Sequence, residues 1–264
     1  WSRVRVSPIE NDCGEVTHYL GFQDDVTERK RTERLVALLN RVLRHNLRND
    51  MNALLLFGDQ LQEGTVPDIE AMGGRIRATA ERLTELSEQA RRLERYARQE
   101  RDPRRLDPST VLADVASASS SGHPDATVEA SVRTDRGICA GAELERALSE
   151  LVENALKHDL TPEPRVAIEA VDDDEWIEIT VTDDGPGISE QETAMIAQGE
   201  ETALEHGSGL GLWLVNWIVT RYGGSFQVQP REGDDGTVAT VRVPAIEDDQ
   251  SVDAVARRPT VLFR

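Results

Sequence analysis

The stretch that most constrains this chain is a stripe of seven residues, Ile76, Thr79, Leu83, Leu86, Ala90, Leu93 and Ala97, whose spacings alternate between three and four without a slip. Only an α-helix with one packed side aligns such positions. A seam sustained this long points to a coiled-coil-like helical hairpin rather than a globular surface helix. Its partner lies upstream. Leu43, Leu47, Leu54 and Leu61 recur at intervals of four, seven and seven within an amphipathic helix expected from about Arg29 to Leu61. Thr27 reads as the N-cap of that first helix and Gly64 as its end. Pro67 suits the first turn of the second helix, which should stop before Pro103, and Gly73-Gly74 is a place where it could bend. Two helices alone cannot bury both apolar faces, so a second copy is expected to complete a dimeric four-helix bundle.

On the first helix, His45 stands two residues from both Leu43 and Leu47, roughly 200° from that seam at about 100° per residue. It is therefore expected to point away from the seam, among Arg41, Arg48, Asn49 and Asn52. A solvent-held imidazole beside cations is available as a nucleophile near neutral pH. Most exposed helical histidines simply belong to a solvated face, so the weight has to come from the rest of the chain.

The remainder of the sequence changes character after Pro103. Helices read at 109–118, 142–158 and 210–222, and strands at 126–133, 165–171, 175–182, 225–230 and 237–243. Val166, Ile168 and Ala170 share one face, Asp172-Asp173-Asp174 turns, and Ile177, Ile179 and Val181 then alternate with Glu178 and Thr180. The expectation is an α/β sandwich with one mixed sheet and helices on one face, so that the whole chain is α+β. Before the helices, residues 1–27 read as two strands around Asp12-Cys13-Gly14, and the abrupt start on a strand reads as the C-terminal part of something longer. Residues 246–264, acidic and then basic, read as a tail.

Composition excludes several classes of partner. Net charge is −19, from 49 acidic against 30 basic residues, with no basic surface for phosphate contacts, so nucleic acid is not an expected partner. Lys30 and Lys157 are the only lysines. Acid spread evenly with lysine nearly absent points to a protein made for high salt, where a Debye length of about 3 Å at 1 M screens self-repulsion. Cys13 and Cys139 have neither metal spacing nor a disulfide framework, which fits a reducing cytoplasm. No apolar run approaches the roughly 20 residues of a membrane span, and no membrane contact is expected.

Three clusters carry chemistry. In the helix 142–158, Leu144, Leu148, Leu151 and Ala155 form the buried stripe, while Glu150, Asn154, Lys157 and His158 share another face. A carboxylate, an amide, an ammonium and an imidazole there suit a magnesium–triphosphate, because Mg²⁺ keeps its waters and needs only one or two protein oxygens; an ordinary solvated face has the same pattern. Next, Asp183-Asp184-Gly185-Pro186-Gly187-Ile188 follows a strand. A carboxylate at a strand end can accept from the exocyclic amine of adenine, and glycines let backbone approach a flat ring, although a tight turn uses the same residues. Last, Gly207-Ser208-Gly209-Leu210-Gly211-Leu212 opens a helix, where exposed N–H groups attract an anion or where glycines merely cap. Its G-x-G-x-G spacing, with no strand directly before it, argues against a Rossmann site. Residues 189–206 between the last two clusters form a candidate lid.

Taken in order, His45 in a helical hairpin, Glu150-x-x-x-Asn154, Asp183-x-Gly185-x-Gly187 and Gly207-x-Gly209-x-Gly211 resemble the sensor histidine kinase family over about residues 28–244. The resemblance implies a dimerisation and phosphoacceptor hairpin at 28–102 and an ATP-binding domain of the Bergerat (GHKL) type at 103–245. Residues 1–27 resemble the last strands of a PAS sensor domain closed by Asp25-Val26-Thr27. It implies ATP-dependent autophosphorylation of His45, with transfer to an aspartate on the receiver domain of a response regulator. It also implies that Asn154, with Glu150 assisting, holds Mg²⁺, and that Lys157 and His158 face the phosphates. Asp183 would read the adenine amine, Gly185, Gly187, Ile188 and Thr237 would shape the base pocket, and Gly207, Gly209, Leu210, Gly211 and Leu212 the phosphate loop. Asn49 matches a position that helps a water dephosphorylate the partner. The family usually has Glu or Asp after the histidine, where this chain has Asn46; an amide cannot take a proton. That departure motivates an alternative, a dimeric ATP-binding scaffold or response-regulator phosphatase with weak kinase activity. No Phe-rich box stands between Asp183 and Gly211. A third reading, an ATPase of the topoisomerase or chaperone type, shares only the nucleotide clusters and lacks the hairpin.

Overall fold

The computed structural model describes residues 1–159, 161–188, 209–231, 236–257 and 259, without the side chains of residues 35, 38–42, 45, 97, 209 and 210. The expected lid at 189–206 and Gly207 lie outside the described residues.

Strands β1 (Ser2–Glu10) and β2 (Val16–Asp25) pair antiparallel and are exposed on both faces. Helix α1 (Thr27–Gln62) follows directly. Thr27 is not its N-cap: the preceding residue, Val26, makes no side-chain cap bond, and the Asp25 carboxylate accepts from the Thr27 amide at 2.9 Å instead. A carboxylate satisfies an open N–H and favours the positive helix end better than a hydroxyl one residue too late. Helix α2 (Ile69–Arg98) likewise starts two residues beyond Pro67, capped by Asp68, whose side chain accepts from Ala71 N at 3.0 Å. It runs unbroken through Gly73-Gly74. The short connection makes the two helices antiparallel neighbours, tied by Arg82 Nη2 to Asp50 Oδ1 at 3.1 Å.

The seven-residue stripe of α2 is half-buried or buried wherever its side chains are described. Its destination differs from the expected seam with α1 alone. Leu93 belongs to the core of the following α/β unit, and Leu86 and Tyr96 pack against that core. On α1, Leu43 and Leu54 are half-buried, whereas Leu47 and Leu61 are exposed.

The α/β unit contains β3 (Arg104–Leu106), α3 (Pro108–Gly122), β4 (Thr127–Arg133), β5 (Gly137–Ala140), α4 (Glu143–His158), β6 (Arg165–Asp173), β7 (Trp176–Asp183), α5 (Gly209–Arg221), β8 (Ser225–Pro230), β9 (Thr237–Ile246) and α6 (Val252–Val255). The mixed sheet runs β3-β5-β9-β7-β6-β4, with β8 on the β9 edge; β4 and β6 are its parallel pair. Val166, Ile168, Ala170, Ile177, Ile179 and Val181 are buried while their alternate neighbours are not, so the sheet has one wet face and one face under helices. β3, β5 and α6 are additions to the sequence reading. β5 is only four residues long but fully buried, and Leu106 opposite it packs on the core. The chain end is also more than a tail: β9 continues to a fully buried Ile246, and Arg257 pairs with Glu175.

Candidate functional site

Helix α4 supplies one wall of the site. Its expected stripe, Leu144, Leu148, Leu151 and Ala155, is buried against the sheet. Glu150, expected on a face other than the buried stripe, is 6% exposed. Burial pushes its carboxyl above the usual range, and Arg146, donating Nη2–H to Glu150 Oε2 at 2.9 Å, pulls it back. The other oxygen, Oε1, faces the first turn of α5, where a Cβ built on Gly211 would meet it at 2.6 Å and Asn154 Nδ2 at 3.2 Å. Glu150, Asn154 and Gly211 thus converge on one point. Among the described residues, the Asn154 amide nitrogen is buried there without a hydrogen-bond partner. A buried amide left unpaired is costly, which makes this corner a place prepared for something else.

The floor comes from the ends of β7 and β9. Asp183 closes β7, and its Oδ1 accepts from the Gly185 amide at 3.0 Å and the Thr237 amide at 3.2 Å. Burial pushes this carboxyl up, against the pull of those two amides and the Thr237 hydroxyl. Gly236 sits at φ +131° with its α-carbon against the Asp183 carbonyl, and Gly187, at φ +79°, lies beside the Gly236 backbone. Side chains cannot fit at this crossing, so glycine is what lets β9 close over the end of β7.

Between wall and floor opens a cavity of about 180 Å³. Asn154, His158, Asp183, Gly187, Ile188, Leu212 and Thr237 line it, together with Leu151, Ala155, Val181, Pro186, Val228 and Ala239. It is a mainly apolar slot with a carboxylate at its base, which fits a flat heterocycle carrying an exocyclic amine. Gly185 is buried beside Asp183, behind the lining. Gly209 and Leu210 occupy the start of α5, their side chains outside the description.

Lys157 departs from the expectation. Its ammonium lies 2.9 Å from Glu85 Oε1 on α2 and does not line the cavity. As the seventh residue after Glu150 it shares that face only approximately, and one further residue carries His158 to the cavity instead. Asn46 and Asn49 lie on α1, as does the backbone of His45, whose side chain is outside the description. Arg146 was missed in the sequence; its spacing four residues before Glu150 was the available signal. The apolar lining of β8 and β9 was invisible because alternation marks a buried face and not a cavity.

Residues 140–247 match the family described as histidine kinase-, DNA gyrase B- and HSP90-like ATPase. The histidine protein kinase DivJ of Caulobacter vibrioides is 34% identical over 124 residues, 42% of this chain and 21% of DivJ. The sensor protein CutS of Streptomyces coelicolor is 28% identical over 214 residues, 76% of this chain and 50% of CutS. The chain therefore spans half or less of these relatives. Among solved structures, histidine kinase ThkA in complex with the response regulator protein TrrA superposes with a TM-score of 0.59 at 20% identity, covering 94% of this chain and 76% of that one. Full-length ShkA in complex with AMPPNP gives 0.53 at 23% identity, covering 86% and 47%. At such identity these two show the fold alone. Among the described residues, no helix is long and apolar enough to cross a membrane.

Proposed function

We propose, for a chain that belongs with the sensor histidine kinases and carries their ATPase domain at residues 140–247, that it binds ATP and transfers the γ-phosphoryl group to His45. The phosphoryl group then passes to an aspartate on a response-regulator receiver domain. The observation that carries the reading is the corner where the Asn154 amide, unpartnered among the described residues, the buried Glu150 carboxylate and Gly211 converge beside a slot floored by Asp183.

Each group has a part that its surroundings support. The Asp183 carboxylate, fixed by two backbone amides, accepts from the adenine amine, while Ile188 and Leu212 exclude water from the ring faces. Gly209 and Gly211 open α5, so backbone N–H groups and the positive helix end face the phosphates. Asn154 and Glu150 offer the one or two protein oxygens that Mg²⁺ needs, the amide presenting oxygen after a half-turn of its side chain. Bound there, the ion would offset phosphate charge. His158 lines the same slot. The division of labour we infer is residues 28–102 as phosphoacceptor hairpin, 103–245 as ATP-binding unit and 1–27 as closing strands of a PAS-like sensor. Leu47, Met51 and Leu55 are exposed at four-residue intervals on α1, an apolar stripe that we assign to a second copy of the hairpin. With γ-labelled ATP and Mg²⁺ in molar KCl, the chain should acquire an acid-labile phosphoryl group. His45→Gln should abolish it, and persistent labelling of that variant would overturn the assignment.

A further inference from the structure

Lys157, displaced from the phosphates, has a partner in an informative place. The Asp50–Arg82 pair fixes the level at which α1 and α2 face each other. Counting back along antiparallel helices puts His45 opposite about residue 87, two residues from Glu85, or roughly 3 Å along the axis at about 1.5 Å per residue. The C-terminal end of α4, which carries Asn154 and His158 into the nucleotide slot, is thus tied to the hairpin at the height of the histidine. The contact is framed by packing. Leu86, next to Glu85, rests on the ATPase core, and Leu93 and Tyr96 continue that stripe down α2. Apolar packing allows sliding along a helix, whereas a charge pair at 2.9 Å prefers one register. Gln89 Nε2 donates to the same Glu85 Oε1 at 3.4 Å, which steadies the carboxylate on α2.

We propose that Glu85 and Lys157 form a positioning pair that sets the height at which the nucleotide slot meets His45. The proposal rests on the reading of that slot as an ATP site and of His45 as the acceptor. Both side chains are about half exposed, so the pair contributes little to stability. A weak contact suits a docking that must form and release in each cycle.

The test is charge reversal. Glu85→Lys and Lys157→Glu should each slow labelling of His45 about fivefold, the scale of one exposed pair replaced by repulsion, with the affinity for a fluorescent ATP analogue within about twofold of wild type. The double swap should recover at least half of the lost rate, which a merely structural role for either residue would not produce. Hydrogen exchange over residues 83–90 reads docking without activity: faster in each single variant, restored in the swap. A swap no faster than the slower single variant overturns the proposal, as do single variants with wild-type rate and exchange. A large loss of analogue affinity in Lys157→Glu overturns it in another way, by returning the ammonium to the phosphates. Wild-type protein that binds the analogue but never labels His45 defeats the functional reading separately, while the exchange data still decide whether the pair holds the dock.

Discussion

Gly211 faces Glu150 so closely that a methyl group in place of its hydrogen would stand 2.6 Å from Glu150 Oε1. Glu150 cannot simply swing aside, because Arg146 holds its other oxygen and the residue is buried. Gly211→Ala should therefore displace the carboxylate and fill the point that it shares with Asn154. Gly211 stands in the first turn of α5, where the helix gains little from alanine, and the overpacking should cost about 1–3 kcal/mol. The expected outcome is a folded protein with a lowered thermal midpoint and Mg²⁺-dependent nucleotide affinity lower by tenfold or more. Titration of a fluorescent ATP analogue with and without Mg²⁺ checks it, and full retention of affinity would refute the convergence.

Asp183 gives the pH dependence of binding. Its folded-state pKa is raised by burial, so the carboxylate takes up a proton at higher pH than an ordinary aspartate. The ionised form keeps both backbone amides and can accept the amine N–H with no proton of its own competing for the site. Nucleotide affinity should fall as pH drops into the range just above that of an exposed aspartate. The stability term has the opposite sign: between the unfolded and the raised folded pKa the native state binds more protons, so this group favours folding as pH falls. Affinity measured from pH 7 to 4 should therefore decline while the protein remains folded, and Asp183→Ala should flatten that decline while weakening binding at pH 7.

What the sequence made legible were patterns that repeat or cluster. The three-four stripe of α2 and the alternation of β6 and β7 follow from helix and strand periods, and the buried residues match them. The convergence of Glu150 with Gly211 was not legible, since it depends on α5 crossing α4. Nor was the double loyalty of the α2 stripe, because an apolar position does not say which neighbour covers it. Leu93 has the same signature whether it packs on α1 or in the ATPase core. Lys157 failed for a finer reason. At seven residues from Glu150 it is only about 20° off that face, and an acid on α2 was enough to draw its flexible chain outward.

The base of the hairpin is held by buried cations. Arg31 on α1 is 1% exposed and donates to the Trp217 and Thr220 carbonyls and the Thr220 hydroxyl, at the C-terminal end of α5. In return, Arg221 donates to the carbonyls of Tyr96 and Gln99 at the end of α2. Each arginine meets carbonyls that a helix end leaves open, where positive charge is favoured. Burial lowers the Arg31 pKa to about 10, with Glu28 acting against that fall. Arg31→Met keeps the length and removes the donors, leaving Thr220 O to the Gly223 amide and Trp217 O to the long contact from the Thr220 hydroxyl. Stability should fall by about 2 kcal/mol, read as a lower urea midpoint, while nucleotide affinity changes little because the slot lies at the other end of α5.

Asn46 decides how fast the proposed reaction can run. An imidazole nitrogen must be unprotonated to attack, and the proton on the ring has to leave as the phosphoryl bond forms. A carboxylate on the next residue could accept that proton, whereas an amide can only hold the ring by a hydrogen bond. Positioned general bases contribute roughly 10²–10⁴-fold, and even a partial share should be visible. Asn46→Glu is expected to speed single-turnover labelling of His45 by about tenfold or more at pH 7, with nucleotide affinity unchanged since α1 does not line the slot. The gain should shrink at pH 9, where solvent takes the proton readily. A rate unmoved at either pH would mean that proton removal is not limiting and that docking of the ATPase unit sets the pace.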